Sequence, residues 1–220
     1  MVLAAQHRAD PSTRLRTSHV IAFDRSAIYG VPGEPDIVAV HLERDDSAGT
    51  IRAAMKTEAL VPLAERWLIA RGADPEQLAQ TAIPIRPADP LTRQIEEFLR
   101  SSGDRFTVRG SFTDESEPYD IWVIAQDTAP SPAEASVRVW HNRRQVDSDT
   151  YTVREGGFAD LDAAYAWTRD TSAPLPPVTS PSARAAAARH STVPAAGRPR
   201  LDPTPVQPPP GPGRPRSGSR

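Results

Sequence analysis

Two groups of side chains in this chain have the types and spacing for chemistry. The first is His41, Glu43 and Asp45. Residues two apart on a strand point to the same side, so an imidazole and two carboxylates would line one face. With Asp24 on a neighbouring strand they offer nitrogen and oxygen donors for a divalent cation, the equipment of a metal-dependent hydrolase or nuclease. Ligands along one strand need a further partner from elsewhere, and none is identifiable. A solvated polar face is therefore the favoured reading, and no catalytic residue, metal ligand or cofactor is assigned. The second group is Arg105, Arg109, Trp122, Arg138, Trp140 and Arg154, with Thr107, Ser136 and Thr152 between them. Arginine forks match phosphates and guanine edges, and aromatic rings stack on bases. On one uncovered sheet face these side chains would form a nucleic-acid-binding surface.

No phosphate loop, dinucleotide-binding glycine fingerprint, paired-histidine helix motif or nucleophile elbow is present. The absence of cysteine excludes disulfides, thiolate metal sites and cysteine nucleophiles. The balance of these features leans away from an enzyme.

The elements that would position the second group are strands. Phe106 and Val108 alternate with Arg105, Thr107 and Arg109; Ile121, Val123 and Ala125 with Trp122 and Ile124; Val137 and Val139 with Ser136, Arg138 and Trp140; Tyr151 and Val153 with Thr150, Thr152 and Arg154. Four such runs joined by polar loops predict an antiparallel meander. Its other face would be packed by helices, or else helices of residues 50–101 would cover the Arg/Trp face itself. Upstream, strand signals at Val20–Phe23 and Ile37–Glu43 flank a Gly/Pro-rich turn and predict a hairpin. From Thr50 the apolar residues Ile51, Met55, Ala59, Leu63 and Trp67 recur every four positions. That spacing predicts one helical face with a kink or break at Pro62. Asp74-Pro75 and Asp89-Pro90 each read as an N-cap followed by proline in the first turn. The expected order, β-β-α-α-α-β-β-β-β-α, is an α+β fold: an N-terminal hairpin plus a four-stranded antiparallel meander with helices packed on it.

The last of these helices lies within "GGFADLDAAYAW", Gly156–Trp167, after its paired glycines, with Leu161, Ala164, Tyr165 and Thr168 on its inward side. This strand-to-helix junction resembles the end of the plant ethylene-response-type DNA-binding domains and of phage integrase arm-binding domains. In those families a helix backs a three-stranded sheet whose outer face enters the major groove. The resemblance implies the same role for the Arg/Trp face here.

The formal net charge of −2 hides a division. Residues 1–170 carry 19 basic and 27 acidic side chains, whereas residues 171–220 carry seven arginines, one acid and 13 of the 24 prolines. A segment so poor in apolar side chains cannot offset its chain entropy by burial, so a disordered Pro/Arg-rich tail over 171–220 is expected. "GRPR" occurs twice in it, and Arg198, Arg200, Arg214 and Arg216 there resemble half of an AT-hook, which implies contact with a minor groove. Pro209–Arg214 fits a polyproline ligand for a protein partner. The remaining boundaries read as a disordered N-terminus over 1–16 and a single domain over 17–170. The opening segment has only a four-residue apolar run, shorter than a secretory leader needs. No run reaches the roughly 18 apolar residues of a membrane span, so a cytoplasmic protein without a membrane partner is expected.

These observations favour a non-enzymatic binding protein associated with nucleic acid through the Arg/Trp face and the basic tail. An acidic protein–protein adaptor or inhibitor is the alternative, and a metal-dependent hydrolase or nuclease the second.

Overall fold

The computed structural model describes residues 1–10, 12–24, 33–79, 85–114, 119–130, 134–145 and 148–178. Strands β1 (Val2–Asp10), β2 (Leu15–Phe23), β3 (Ile37–Asp45) and β4 (Thr50–Glu58) form an antiparallel sheet in chain order. Helices α1 (Val61–Ile69) and α2 (Pro75–Leu78), the two-residue β5 (Arg86–Pro87) and helix α3 (Pro90–Ser101) follow. The chain then builds the meander β6 (Phe106–Asp114), β7 (Asp120–Asp127), β8 (Val137–Arg144) and β9 (Thr150–Phe158), closed by helix α4 (Leu161–Trp167). The second sheet runs β5-β9-β8-β7-β6, with β5 parallel to β9 and the rest antiparallel. The α+β class and the four-stranded meander are as the alternation predicts.

The amino-terminal half differs from expectation. Residues 2–10, assigned to a disordered N-terminus, pair with β2 along their length. Thr50–Glu58 is an edge strand rather than a helix. A four-residue spacing satisfies both periods: four residues are slightly more than one helical turn, and four is also two strand repeats. The decisive sign is exposure, because Ile51 and Met55 stand 67% and 70% exposed and anchor no helical face. Pro62 does not kink a helix either; it lies in the first turn of α1, where a missing N–H costs nothing.

Helix α1 is the centre of the layering. Leu60 and Leu63 pack with Ile95 and Leu99 of α3 against Phe106, Val123 and Trp140 of the second sheet. Ala64 and Leu68 pack against Ile21 and Ala39 of the first sheet. A helix buried on two sides leaves its polar residues no route to water, so they are paired. Glu65 accepts a hydrogen bond from Arg100 Nε at 2.7 Å, and Arg66 Nη1 donates to the Phe106 carbonyl at 3.1 Å. On the far side of the second sheet, Ala164 and Trp167 of α4 cover Ile124, Val137, Val139 and Phe158. The second sheet is thus covered on both faces.

The segment after α4 continues the fold past residue 170. Trp167 Nε1 donates to the Ala173 carbonyl, Gly157 N–H to that of Pro176, and Ala135 N–H to that of Val178. The chain passes so close to β9 that a Cβ at Gly157 would lie 2.7 Å from Val178 Cα, and one at Gly156 2.7 Å from Leu175 Cδ2. The paired glycines of "GGFADL" therefore serve this close approach. Among the described residues no helix is long and apolar enough to cross a membrane.

Candidate functional site

The meander's register decides the fate of the Arg/Trp group. Trp140 stands opposite Val123 and Arg138 opposite Ala125, whereas Trp122 stands opposite His141. Cross-strand partners share a face, so Trp140 and Arg138 point toward α1 and α3, and Trp122 points toward α4. The expectation that both tryptophans line one uncovered face is corrected. Alternation alone would put the valines of β8 on the side of Ile121 and Val123, yet Val137 and Val139 lie with Ile124 beneath α4. Residues 137–141 are all buried, Arg138 included, so the alternation of Arg138 with Val137 and Val139 marks no solvent face.

Three of the four arginines of the group, Arg105, Arg138 and Arg154, are engaged by carboxylates of the protein itself. Asp127 accepts from Arg105 Nε at 3.0 Å and Nη2 at 2.8 Å, and from Arg138 Nη2 at 3.3 Å. Glu134 and Glu155 complete this network at 2.7 and 3.2 Å. Burial would raise the Asp127 pKa, but the hydrogen bonds from Arg105 and Ala129 outweigh it and the value falls below the ordinary 3.8. Arg154 reaches Asp89 at the start of α3 and Thr92 Oγ1 at 3.1 Å. Trp140 is fully buried, edge-on to Phe106 at 4.9 Å, and Trp122 stacks on Phe112 at 5.8 Å. Arg109 remains exposed beside the β6 bulge, where its carbonyl accepts from Tyr165 Oη. Arg198, Arg200, Arg214 and Arg216 lie outside the described residues. The groove-reading sheet implied by the resemblance of "GGFADLDAAYAW" to DNA-binding modules has no open counterpart here, since helices lie on both faces.

The donors of the first group also separate. His41 stacks on His19 with ring centres 4.9 Å apart and stands 3.4 Å from Glu43, while Asp45 caps the β3–β4 turn through Ser47 and Ala48. The Asp24 N–H bonds to the Asp36 carbonyl, away from that trio. Among the described residues, no three histidine, aspartate or glutamate side chains stand together as a metal site.

What the fold does assemble is a cavity of about 310 Å³ between the two sheets. Leu3, Phe23 and Ile37 come from the first sheet, Leu60 and Pro62 from the entry to α1, and Leu99 from α3. Ile121 and Val153 form the floor on the second sheet. Four polar side chains on this apolar lining form two pairs. Tyr119 Oη donates to Asp36 Oδ2 at 2.7 Å, and Tyr151 Oη donates to Glu96 Oε1 at 2.5 Å. Burial raises the Glu96 pKa above 4.5 in spite of the Tyr151 hydrogen bond and the charges of Arg100 and Arg93. The Tyr151 hydroxyl is also pushed up, by burial first and then by the Glu96 charge.

Two further polar groups line the cavity without such engagement. Asn142 lies on β8 opposite Ile121 and Val153, and Arg144 lies opposite Tyr151. Among the described residues, neither the Asn142 amide nor the Arg144 guanidinium makes a hydrogen bond or ion pair. Asn142 is part-buried and Arg144 is exposed, so the guanidinium marks the cavity's solvent end. No sequence signal singled out these residues, because the walls come from eight elements spread over about 150 residues. The nearest trace is an asparagine at a position where β8 otherwise turns bulky side chains toward the helices. Comparison with protein-family models, curated proteins and solved structures finds no match for this chain.

Proposed function

We propose that the protein is a non-enzymatic binding protein whose cavity between the two sheets takes a small amphipathic molecule with an apolar body and a carboxylate head. The observation that carries this reading is the unengaged Asn142–Arg144 pair at the edge of a mostly apolar cavity whose other polar side chains, Tyr119, Asp36, Tyr151 and Glu96, are paired with one another. Binding sites of this kind join an apolar lining to a few convergent polar groups, and lie preferentially between layers or domains. Asp36 and Glu96 each already accept a tyrosine hydroxyl, so an anionic head belongs at Arg144, with Asn142 donating beside it. The apolar body then runs inward over Ile121 and Val153. The carboxylates of the described lining, Asp36 and Glu96, each accept a tyrosine hydroxyl, which favours binding over catalysis.

Calorimetric titration with saturated fatty acids of eight to twelve carbons, and with the matching alcohols, tests the reading. Saturable one-to-one binding of an acid is expected, and Arg144→Gln should weaken it by about tenfold or more, as expected for losing a charged hydrogen bond. Affinity for the alcohol should barely change in that variant. Absence of saturable binding for every acid up to millimolar concentration, or equal loss of acid and alcohol in Arg144→Gln, would overturn it.

A further inference from the structure

The first sheet has one covered face and one open face, and its sequence is written for two covered ones. Val20-Ile21-Ala22-Phe23 and Ile37-Val38-Ala39-Val40 are apolar at both parities, the pattern of strands buried on both sides. Ile21, Ile37 and Ala39 meet α1 and α2. Their neighbours point the other way. One rank across the four strands reads Ala5-Val20-Val40-Met55, and the adjacent rank reads Val2-Ala22-Val38-Thr57. Val2 and Met55 are 60% and 70% exposed, and no described element packs over these ranks.

We propose that a second copy of the chain covers this face, the two sheets stacking face to face about a two-fold axis. Charge supports this occupant. The two ranks contain no ionisable side chain, and the next contains only His7, whose ring nitrogen is 2.8 Å from Ser18 Oγ. The charges at the far end of the face, Arg16 and Arg44, are both held by Asp46 at 2.8 and 2.7 Å. A nucleic acid would need free cations here, and a charged protein partner would need opposite ones. A neutral apolar patch is complementary to itself, as an isologous two-fold interface requires. The area is also sufficient. Strands of nine residues at about 3.3 Å rise and 4.8 Å spacing give roughly 570 Å² per copy for the whole face, its Arg16–Arg44 end included. Pairing two such faces buries about 1,100 Å², above the ~1,000 Å² floor for a specific interface. Stacked sheets of this kind pack about 10 Å apart with their side chains interdigitated.

The test is sedimentation velocity on the full chain from micromolar to sub-millimolar concentration. A species of twice 23.9 kDa is expected for the wild type. Met55→Arg replaces a side chain that is already exposed and should raise the dimer dissociation constant on the order of 100-fold, since a two-fold interface would bury two unpaired charges. Ala5→Arg, on the opposite edge strand, should act likewise and decides the matter should Met55→Arg lose its circular dichroism. Ala163→Arg, which adds the same charge on α4, should leave association unchanged. A wild type that stays monomeric overturns the proposal and leaves the face to a different protein. A dimer indifferent to both face variants, or equally weakened by Ala163→Arg, also overturns it. The outcome does not bear on the cavity, which opens on the other side of this sheet.

Discussion

Asp89 serves two elements with one carboxyl group. Its Oδ1 caps α3 by accepting from the Thr92 N–H at 2.8 Å, and the same carboxylate holds Arg154 of β9. Thr92 completes the clamp, because its hydroxyl accepts the Val153 N–H at 3.1 Å beyond the reach of β5. The Arg154 hydrogen bond first, and the Thr92 N–H next, lower the Asp89 pKa from 3.8 to about 2. A carboxyl whose folded pKa is depressed stabilises the fold above its unfolded value and loses that contribution as pH falls through the folded one. Asp89→Asn should therefore melt below the wild type at neutral pH. The difference should shrink between pH 3.8 and about 2, where the wild-type carboxyl also becomes neutral. Thermal melts of both proteins across that range check this, and a gap that persists unchanged below pH 2 would refute it. The cap is legible in the dipeptide Asp89-Pro90, since proline in the first turn marks a helix start. Arg154 is not: its partner lies 65 residues away, and an arginine on a strand looks the same whether it awaits a phosphate or holds a carboxylate. The same limit applies to Arg105 and Arg138, whose carboxylates arrive from other strands.

At the scale of elements, legibility follows how unambiguous the period is. The meander was readable because its loops are polar and its runs short. Thr50–Glu58 was not, because a spacing of four fits helix and strand alike, and only the exposure of Ile51 and Met55 separates them. Helix α4 shows the same weakness over a shorter length. Spacing brings Tyr165 onto the inward side with Leu161 and Ala164, yet Tyr165 is 38% exposed and Trp167 only 8%. With barely two turns, a small rotation of the helix axis exchanges which aromatic faces the sheet. Trp167 packs edge-on to His141 at 5.3 Å and close to Phe158, while Tyr165 keeps one hydrogen bond, to the Arg109 carbonyl at 3.0 Å. Trp167→Ala should accordingly cost about 3–5 kcal/mol, the range for emptying a buried aromatic site. Tyr165→Ala should cost roughly 1–2 kcal/mol, since it removes a hydrogen bond and a half-exposed ring. Urea denaturation of the two variants side by side measures the difference, and equal losses would mean that the helix sits otherwise on the sheet.

Across the whole molecule, order is set by what the layers need covered. Sheet, helices α1 and α3, second sheet and α4 stack so that each apolar surface but one meets another. The same logic moves both boundaries of the folded unit away from where composition alone would set them. At the start, Val2–Asp10 is too polar to look like core, but it extends a sheet whose backbone groups need partners more than they need burial. At the end, the rise in proline content near residue 174 suggests a boundary at 170, yet Leu175, Pro176 and Val178 close over Gly156 and Gly157. Proline does not weaken that contact, because the segment accepts hydrogen bonds through its carbonyls and needs no N–H of its own from Pro176. Two truncations separate these boundaries. Ending the chain at Asp170 removes the acceptors of Trp167 Nε1, Gly157 N–H and Ala135 N–H, together with Ala173 and Leu175, which pack on the cluster beneath α4. Each of these hydrogen bonds exchanged for one to water costs about 0.5–1.5 kcal/mol, and the lost packing of Ala173 and Leu175 adds to it, so a loss of several kcal/mol and a clearly lower Tm are expected. Ending it at Val178 removes none of the described contacts and should leave Tm within about 2 °C, a shift equivalent to about 0.5–1 kcal/mol for a unit of this size. Equal melting of the two truncated proteins would show that residues 171–178 contribute nothing. A large loss in the longer one would show instead that the Pro/Arg-rich segment contributes to the fold.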